Sequence, residues 1–364
     1  MKLKDKTWAP ALITFLILGL VVALVILGAE GDPLALARLG TRFSLNDPEG
    51  TAGYDGQFVY YIARDLQPDN VSAHLDVPAY RYQRILMPLL SRLLSFGNLQ
   101  ILPWMLAAVG IIAQSFGTWG LASLLKRWGT NPWYALVYGL WTGFILAVRL
   151  DLPEPLAYGL IVAALLANLK EKHGLAWVLY GLAMFAKEVT IIFVAAQGLI
   201  YLWRRQWRSA FGLGLITLLP YGLFQFWLWR TFGALGLGSG GDMATPFEWI
   251  PLMGLFRIGA YSPKLLLASL VVFGPFLLLP VFWGLWVVGK KVWRGEIELI
   301  DLGFALNALV IVFLPFSTFR EPGGLLRFSC GLVLALILFV SRYRYNKILR
   351  YMPLVLVLNV FLLK

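Results

Sequence analysis

The chain has 364 residues, of which 59% are hydrophobic and only 14% charged, with a formal net charge of +12. A water-soluble fold of this size could not bury so much apolar surface, so the composition points to an all-α, polytopic membrane protein whose helices satisfy their own backbone groups. The positive charge lies in short clusters beside apolar runs, a membrane-topology pattern that does not imply a nucleic-acid partner.

A span needs about 20 apolar residues, fewer where helices are short or broken. In chain order, helices are predicted near 8–28, 101–125, 133–149, 155–169, 209–229, 264–289, 300–316, 325–341 and 351–363. The first has a basic start but no small-residue cleavage site, so it reads as a retained helix. The single cysteine, Cys330, lies in an apolar run and cannot form an intrachain disulfide.

The stretch 175–203 is apolar except for Lys187 and Glu188 at its middle. Basic clusters stand at Lys2/Lys4/Lys6, Lys126/Arg127, Lys170/Lys172, Arg204/Arg205/Arg208, Lys290/Lys291/Arg294 and Arg342/Arg344/Lys347/Arg350. If all face the cytoplasm, an even number of passes must separate them. That requires 175–203 to enter and return as two short helices, about 175–186 and 189–203, meeting at Lys187 and Glu188. One tilted helix with a snorkelling Lys187 is the alternative. The expected architecture is a single transmembrane domain over 1–364 with about eleven membrane segments. It would be a multi-pass membrane protein with a cytoplasmic N-terminus.

The first external loop, 29–98, is expected to carry amphipathic interfacial helices, and a second large external loop spans 230–263. Within the first, Asp47, Glu49 and Asp55 alternate with Gly50, Gly53 and Gly56, and glycine lets backbone approach a ligand closely. Phe58, Tyr61 and Ile62 then recur at helical spacing, predicting a short amphipathic helix over 55–65 that lies on the membrane. Asp55 at its start is either a helix cap or a general base.

Further on, Arg81 and Arg84 share a helical face beside Tyr80 and Tyr82, suited to a phosphate at headgroup depth, or else to lipid headgroups or Asp76. Arg149, Asp151 and Glu154 cluster at a proline-bounded turn, and Lys187 and Glu188 lie within an apolar run. They read as walls of a polar cavity, or as structural ion pairs such as Arg149 with Glu188. The last external loop adds Arg320, Glu321 and Arg327, with Arg320 or Arg327 as phosphate ligands. The loop 231–262 is glycine-rich without a phosphate-loop lysine, so it reads as a mobile lid or flexible connector. No His/Cys metal cluster, Walker motif or Gly-x-Ser-x-Gly occurs.

The run Gly53-Tyr54-Asp55-Gly56-Gln57 lies in a first external loop directly after the first helix. Together with Tyr80-Arg81-Tyr82-Gln83-Arg84-Ile85-Leu86-Met87-Pro88 and Ala186-Lys187-Glu188-Val189, it resembles the GT-C glycosyltransferase superfamily. Those polytopic enzymes use polyprenyl-phosphate sugars. The resemblance covers most of the chain in layout, through short motifs. It implies sugar transfer on the external face from a polyprenyl-phosphate-linked donor to a glycan, lipid or protein acceptor, within membrane lipids. Asp55 would be the catalytic base. Tyr54, Gln57, Arg81, Arg84, Arg320 and Arg327 would bind substrate or phosphate. Arg149, Asp151, Glu154, Lys187 and Glu188 would line the cavity. Many members carry an Asp-x-Asp or Asp-Glu pair in this loop where this chain has a lone Asp55. That departure leaves open whether a divalent cation takes part and whether Asp55 or a neighbouring carboxylate is the base. A transporter or flippase of lipid-linked saccharides and a non-catalytic assembly subunit are the rival readings.

Overall fold

The structure, a computed structural model, describes residues 6–363. Lys2 and Lys4 of the first basic cluster lie outside the described residues. Among the described residues the chain is all-helical, with no strand. Four helices are long and apolar enough to cross a membrane: Trp8–Gly28, Leu102–Arg127, Trp207–Phe232 and Pro263–Trp293. Pro322–Phe328 and Cys330–Arg342 meet at 44° and together would make a fifth. Glu154–Leu169, His173–Ala186, Glu188–Trp203 and Leu299–Val312 are apolar but shorter. Several helices are therefore able to cross a membrane, consistent with a membrane protein.

Helix contacts follow the small residues and branched aliphatics. Leu18, Val22 and Ile26 of Trp8–Gly28 pack against Ala107, Ile145 and Val148. Leu102–Arg127 meets Glu154–Leu169 where a Cβ on Gly117 would stand 3.1 Å from the Cα of Gly159, so small residues let the two backbones close.

The hairpin at 175–203 forms. Lys187 is extended (φ −155°, ψ 120°) and ends His173–Ala186. The chain then returns through Ile191–Trp203, because the Trp177 indole donates to the Tyr201 hydroxyl at 3.3 Å. In one straight helix those residues would be about 36 Å apart. Asn168 likewise donates to Gln197 at 2.7 Å, closing the base of the hairpin against Glu154–Leu169.

Two predicted helices are not continuous. The 133–149 segment breaks into Ala135–Gly139 and Thr142–Arg149. The break at Trp141 lets its indole donate to the Leu326 carbonyl at 2.9 Å, and a Cβ on Gly143 would collide with that same carbonyl. At the C-terminus, Asn346–Tyr351 gives way to a 3₁₀ stretch, Met352–Leu363. Asn359 pins it to the Thr142 hydroxyl at 2.7 Å.

The first loop is a string of short helices folded onto the bundle. Its central piece, Gly56–Arg64, was expected on a membrane surface, yet every residue from Gly56 to Ala63 is buried. Phe58, Val59 and Ile62 pack with Met87, Leu102 and Leu106, so the helix is embedded between the loop and the long helix behind it.

Candidate functional site

The site is organised around Asp55. Gly53 has φ +69°, the left-handed region that favours glycine, and a Cβ there would stand 2.6 Å from the Arg38 carbonyl. A Cβ on Gly56 would overlap the Leu150 carbonyl. These glycines let the loop close on the protein itself, which fixes where Asp55 emerges. Asp55 occupies the N-cap position of Gly56–Arg64, but its side chain makes no cap hydrogen bond. The carboxylate turns outward instead. Arg81 Nη1 lies 3.0 Å from Oδ1, and both terminal nitrogens of Arg327 donate to Oδ2 at 3.3 Å.

Each partner is held in turn. Arg81 follows Pro78, which starts the short helix Pro78–Tyr82. Its Nε and Nη2 donate to the two oxygens of Asp76, both at 2.7 Å, a fork that fixes the guanidinium plane. The Phe58 ring packs on it at 4.3 Å. Arg84 forks onto Glu188 at 2.8 and 2.5 Å and donates to the Tyr80 hydroxyl at 2.6 Å. Lys187 donates to Glu154 at 2.5 Å, and Arg327 approaches the same oxygen at 3.6 Å. Tyr54 lies beneath the Arg327 guanidinium, 5.2 Å away, and donates to Glu321 at 2.7 Å. Four cations (Arg81, Arg84, Lys187, Arg327) and four carboxylates (Asp55, Asp76, Glu154, Glu188) thus interlock. They come from distant parts of the chain and meet at one end of the bundle.

Exposure singles out one member. The Asp55 side chain is 30% exposed, against 8% for Arg81, 12% for Arg327 and 0% for Glu154. Burial pushes the Asp55 carboxyl up, but the Arg81 and Arg327 charges outweigh it and hold it well below the usual carboxylate range. Burial likewise raises Asp76, and the Arg81 hydrogen bonds overcome it, leaving it lowered. Asp55 is a reachable carboxylate that is ionised at neutral pH.

Of the residues expected at the site from sequence, Tyr54, Asp55, Arg81, Arg84, Glu154, Lys187, Glu188 and Arg327 come together. Four do not. Gln57 is buried and clasps the loop, accepting from Gly40 N–H at 3.0 Å and donating to Ala52 at 2.7 Å. Arg320 is exposed and lies over the Phe316 ring at 5.7 Å. Arg149 donates to the Leu362 carbonyl at 3.0 Å, so Glu188 is paired by Arg84 and not by Arg149. Asp151 is buried with φ +50°, and neither carboxyl oxygen has a hydrogen-bond partner among the described residues. Upstream, Asp47 accepts from Glu49 N–H in an exposed turn.

Sequence reasoning undervalued Asp76, Tyr80 and Glu321. Each positions an arginine or Tyr54, and their signal was spacing alone: Asp76 five residues before Arg81, Tyr80 four before Arg84. The glycine-rich loop was also underread. A Cβ on Gly241 would stand 2.8 Å from Arg81 Nη2, and Asp242 N–H donates to Asp76 at 3.2 Å. Thr245 and Ser317 exchange backbone and hydroxyl hydrogen bonds at 3.0 and 3.1 Å. The loop is a strap from the segment around Asp76 to the segment before Arg327.

The donor set does not suit a divalent cation. Among the described residues no group of three His, Cys, Asp or Glu side chains is placed to hold a metal ion. Both Asp55 oxygens already face guanidiniums, whose charge opposes a metal. Compared with protein-family models, curated proteins and solved structures, the chain gives no match.

Proposed function

We propose that the protein is a membrane glycosyltransferase of GT-C type. It moves a sugar from a polyprenyl-phosphate donor to an acceptor hydroxyl at the external face of a bacterial plasma membrane. In this reading the chain crosses in about eleven segments, counting the hairpin helices and the broken C-terminal ones, with a cytoplasmic N-terminus. The observation that carries it is Asp55: a partly exposed carboxylate between two better-hidden arginines, at the mouth of an ion-pair cluster.

The chemistry divides among those groups. Asp55 accepts the proton of the acceptor hydroxyl, whose oxygen attacks the anomeric carbon. The bond from that carbon to the phosphate oxygen breaks, and the lipid phosphate leaves with the electron pair. Arg81 and Arg327 take up the developing charge, with Arg84 behind them. A carboxylate held so far below its usual range is a weak base at rest. A donor phosphate that draws both guanidiniums to itself removes the charges that lower Asp55 and adds an anion that raises it. The base is then strengthened only when donor is bound. Glu154 and Lys187 hold Arg327 from behind.

A second reading, transport of a lipid-linked saccharide, is favoured by one observation. Two interrupted segments, at Lys187 and at the 44° bend before Cys330, flank the site, as broken helices do in transporters. The discriminating experiment uses purified full chain in detergent micelles with a radiolabelled polyprenyl-phosphate sugar and candidate acceptors. Release of polyprenyl phosphate together with a labelled product supports transfer. Movement of intact donor across proteoliposomes, with no bond cleavage in micelles, supports transport and refutes the enzyme.

A further inference from the structure

At the end of the bundle remote from Asp55 lies a cavity of about 400 Å³, a size within the range of small-ligand sites. It opens between the ends of Leu102–Arg127 and Glu154–Leu169, the returning hairpin helix and the start of Leu299–Val312. One wall is aliphatic, with Leu165, Leu169, Ile200 and Leu299. The other is polar, with Gln197, Arg204 and Arg342.

Three features of the polar wall point to an anion. Gln197 is only 4% exposed, and its carbonyl accepts from Asn168 at 2.7 Å. Its amide nitrogen forms no hydrogen bond with the described residues and lines the cavity as a fixed donor. Arg204 stands at the rim, exposed, and forms no ion pair among the described residues. Arg342 is forked onto Glu298 at 2.9 and 3.0 Å, so that pair is neutral and Arg204 leaves the wall with a positive charge. His173 sits beside them with Nδ1 at 3.3 Å from the Asn168 carbonyl, leaving Nε2 for a ligand.

We propose that this cavity is a second binding site, for a phosphoryl headgroup carried on a lipid. The headgroup meets the Gln197 amide and Arg204, and the first carbons of its tail lie along the aliphatic wall. The surface beside it is apolar and open, with Leu199, Leu202 and Trp203 each about half exposed, so a tail can continue outward into the bilayer. The basic residues Lys170, Arg204 and Arg344 gather at this end, as expected of a face that meets an anionic leaflet. The proposal is independent of any chemistry at Asp55.

The test is native mass spectrometry of the full chain in neutral detergent with dioctanoyl phosphatidylglycerol, dioctanoyl phosphatidylcholine and inorganic phosphate. Phosphatidylglycerol is expected to be retained in preference to phosphatidylcholine. Arg204→Gln and Gln197→Glu should each weaken that retention by about tenfold or more, the loss of one charge-assisted hydrogen bond. Gln197→Glu keeps the oxygen that Asn168 needs and replaces the free donor with a negative charge. Should it fail to fold, the exposed Arg204→Gln decides alone. Arg320→Gln, an exposed arginine outside both sites, should retain the lipid as the parent chain does. Displacement by phosphate at concentrations equal to the lipid would uphold the phosphoryl site and make its source a soluble compound. Equal retention in the parent, Arg204→Gln and Gln197→Glu, or no retention of either anion, overturns the site.

Discussion

The two ends of the bundle each carry interlocked ion pairs, but built in opposite senses. Remote from Asp55, the hidden member is an anion. Asp301 is 0% exposed and accepts from Lys291 at 2.7 Å and from Glu298 N–H at 2.7 Å, while Lys291, Arg342 and Glu298 reach outward. That cluster ties Pro263–Trp293, Leu299–Val312 and Cys330–Arg342 together and offers solvent only groups already paired. At Asp55 itself the partners are the better hidden groups, Arg81 and Arg327, and the anion is the one within reach. A ligand phosphate arriving there can displace Asp55 from Arg81 and Arg327. One arriving at the Asp301 cluster finds no buried cation to claim. Ion pairing alone therefore does not mark a site; the exposure of the anion relative to its cations does.

The contrast can be broken from either side. The largest effect is expected of Glu154→Gln, which strands Lys187 in a buried setting and should cost about 3–5 kcal/mol of stability, read as thermal unfolding in detergent. Next, Arg327→Gln removes one of the two charges that would meet the departing phosphate. Turnover in the transfer assay should fall by about 10²–10³. Acid should then test two of the site's four carboxylates. Asp55 and Asp76 are both lowered on folding, so their pairing contributes fully above their unfolded values and is lost as pH falls through the lowered ones. Thermal stability should stay level between about pH 7 and pH 5 and drop below about pH 4, and Asp55→Asn should flatten that drop. The smallest effect is expected of Arg342→Gln at the remote end. Its pair with Glu298 is about 40% exposed on both sides, so the cost should be within about 1 kcal/mol and transfer should be untouched.

Much of this could be read in the chain, and the failures have physical causes. The hairpin at Lys187 was legible because basic clusters kept on one face need an even number of passes between them, and the Trp177–Tyr201 contact agrees with a returning helix. The convergence of Asp55, Arg81, Arg84, Glu154, Lys187, Glu188 and Arg327 was legible as a class, since charges in apolar surroundings seek one another. Which charge meets which was not. Arg149 and Glu188 looked like partners from their settings, but the partner of Glu188 comes from 104 residues upstream. Gln57 carries the same side-chain chemistry whether it clasps a loop or a ligand, and only the Gly40 and Ala52 contacts decide. The break at Trp141 was hidden because an indole that bonds a distant carbonyl leaves no periodic trace. The burial of residues 56–63 escaped for a related reason: a one-sided apolar pattern is the same on a membrane and against a neighbouring helix.

The most direct measurement is single-turnover transfer by Asp55→Asn beside the parent chain, with donor binding measured on the same samples. The substitution keeps the shape of the side chain and removes the base. Transfer is expected to fall by about 10²–10⁴ while donor binding is kept or strengthened, because the phosphate no longer has to displace Asp55, and thermal stability at neutral pH falls by the pairing that Asp55 contributes. Full transfer by a folded Asp55→Asn protein would contradict the role given to Asp55 and, with it, the meaning assigned to the arginines around it.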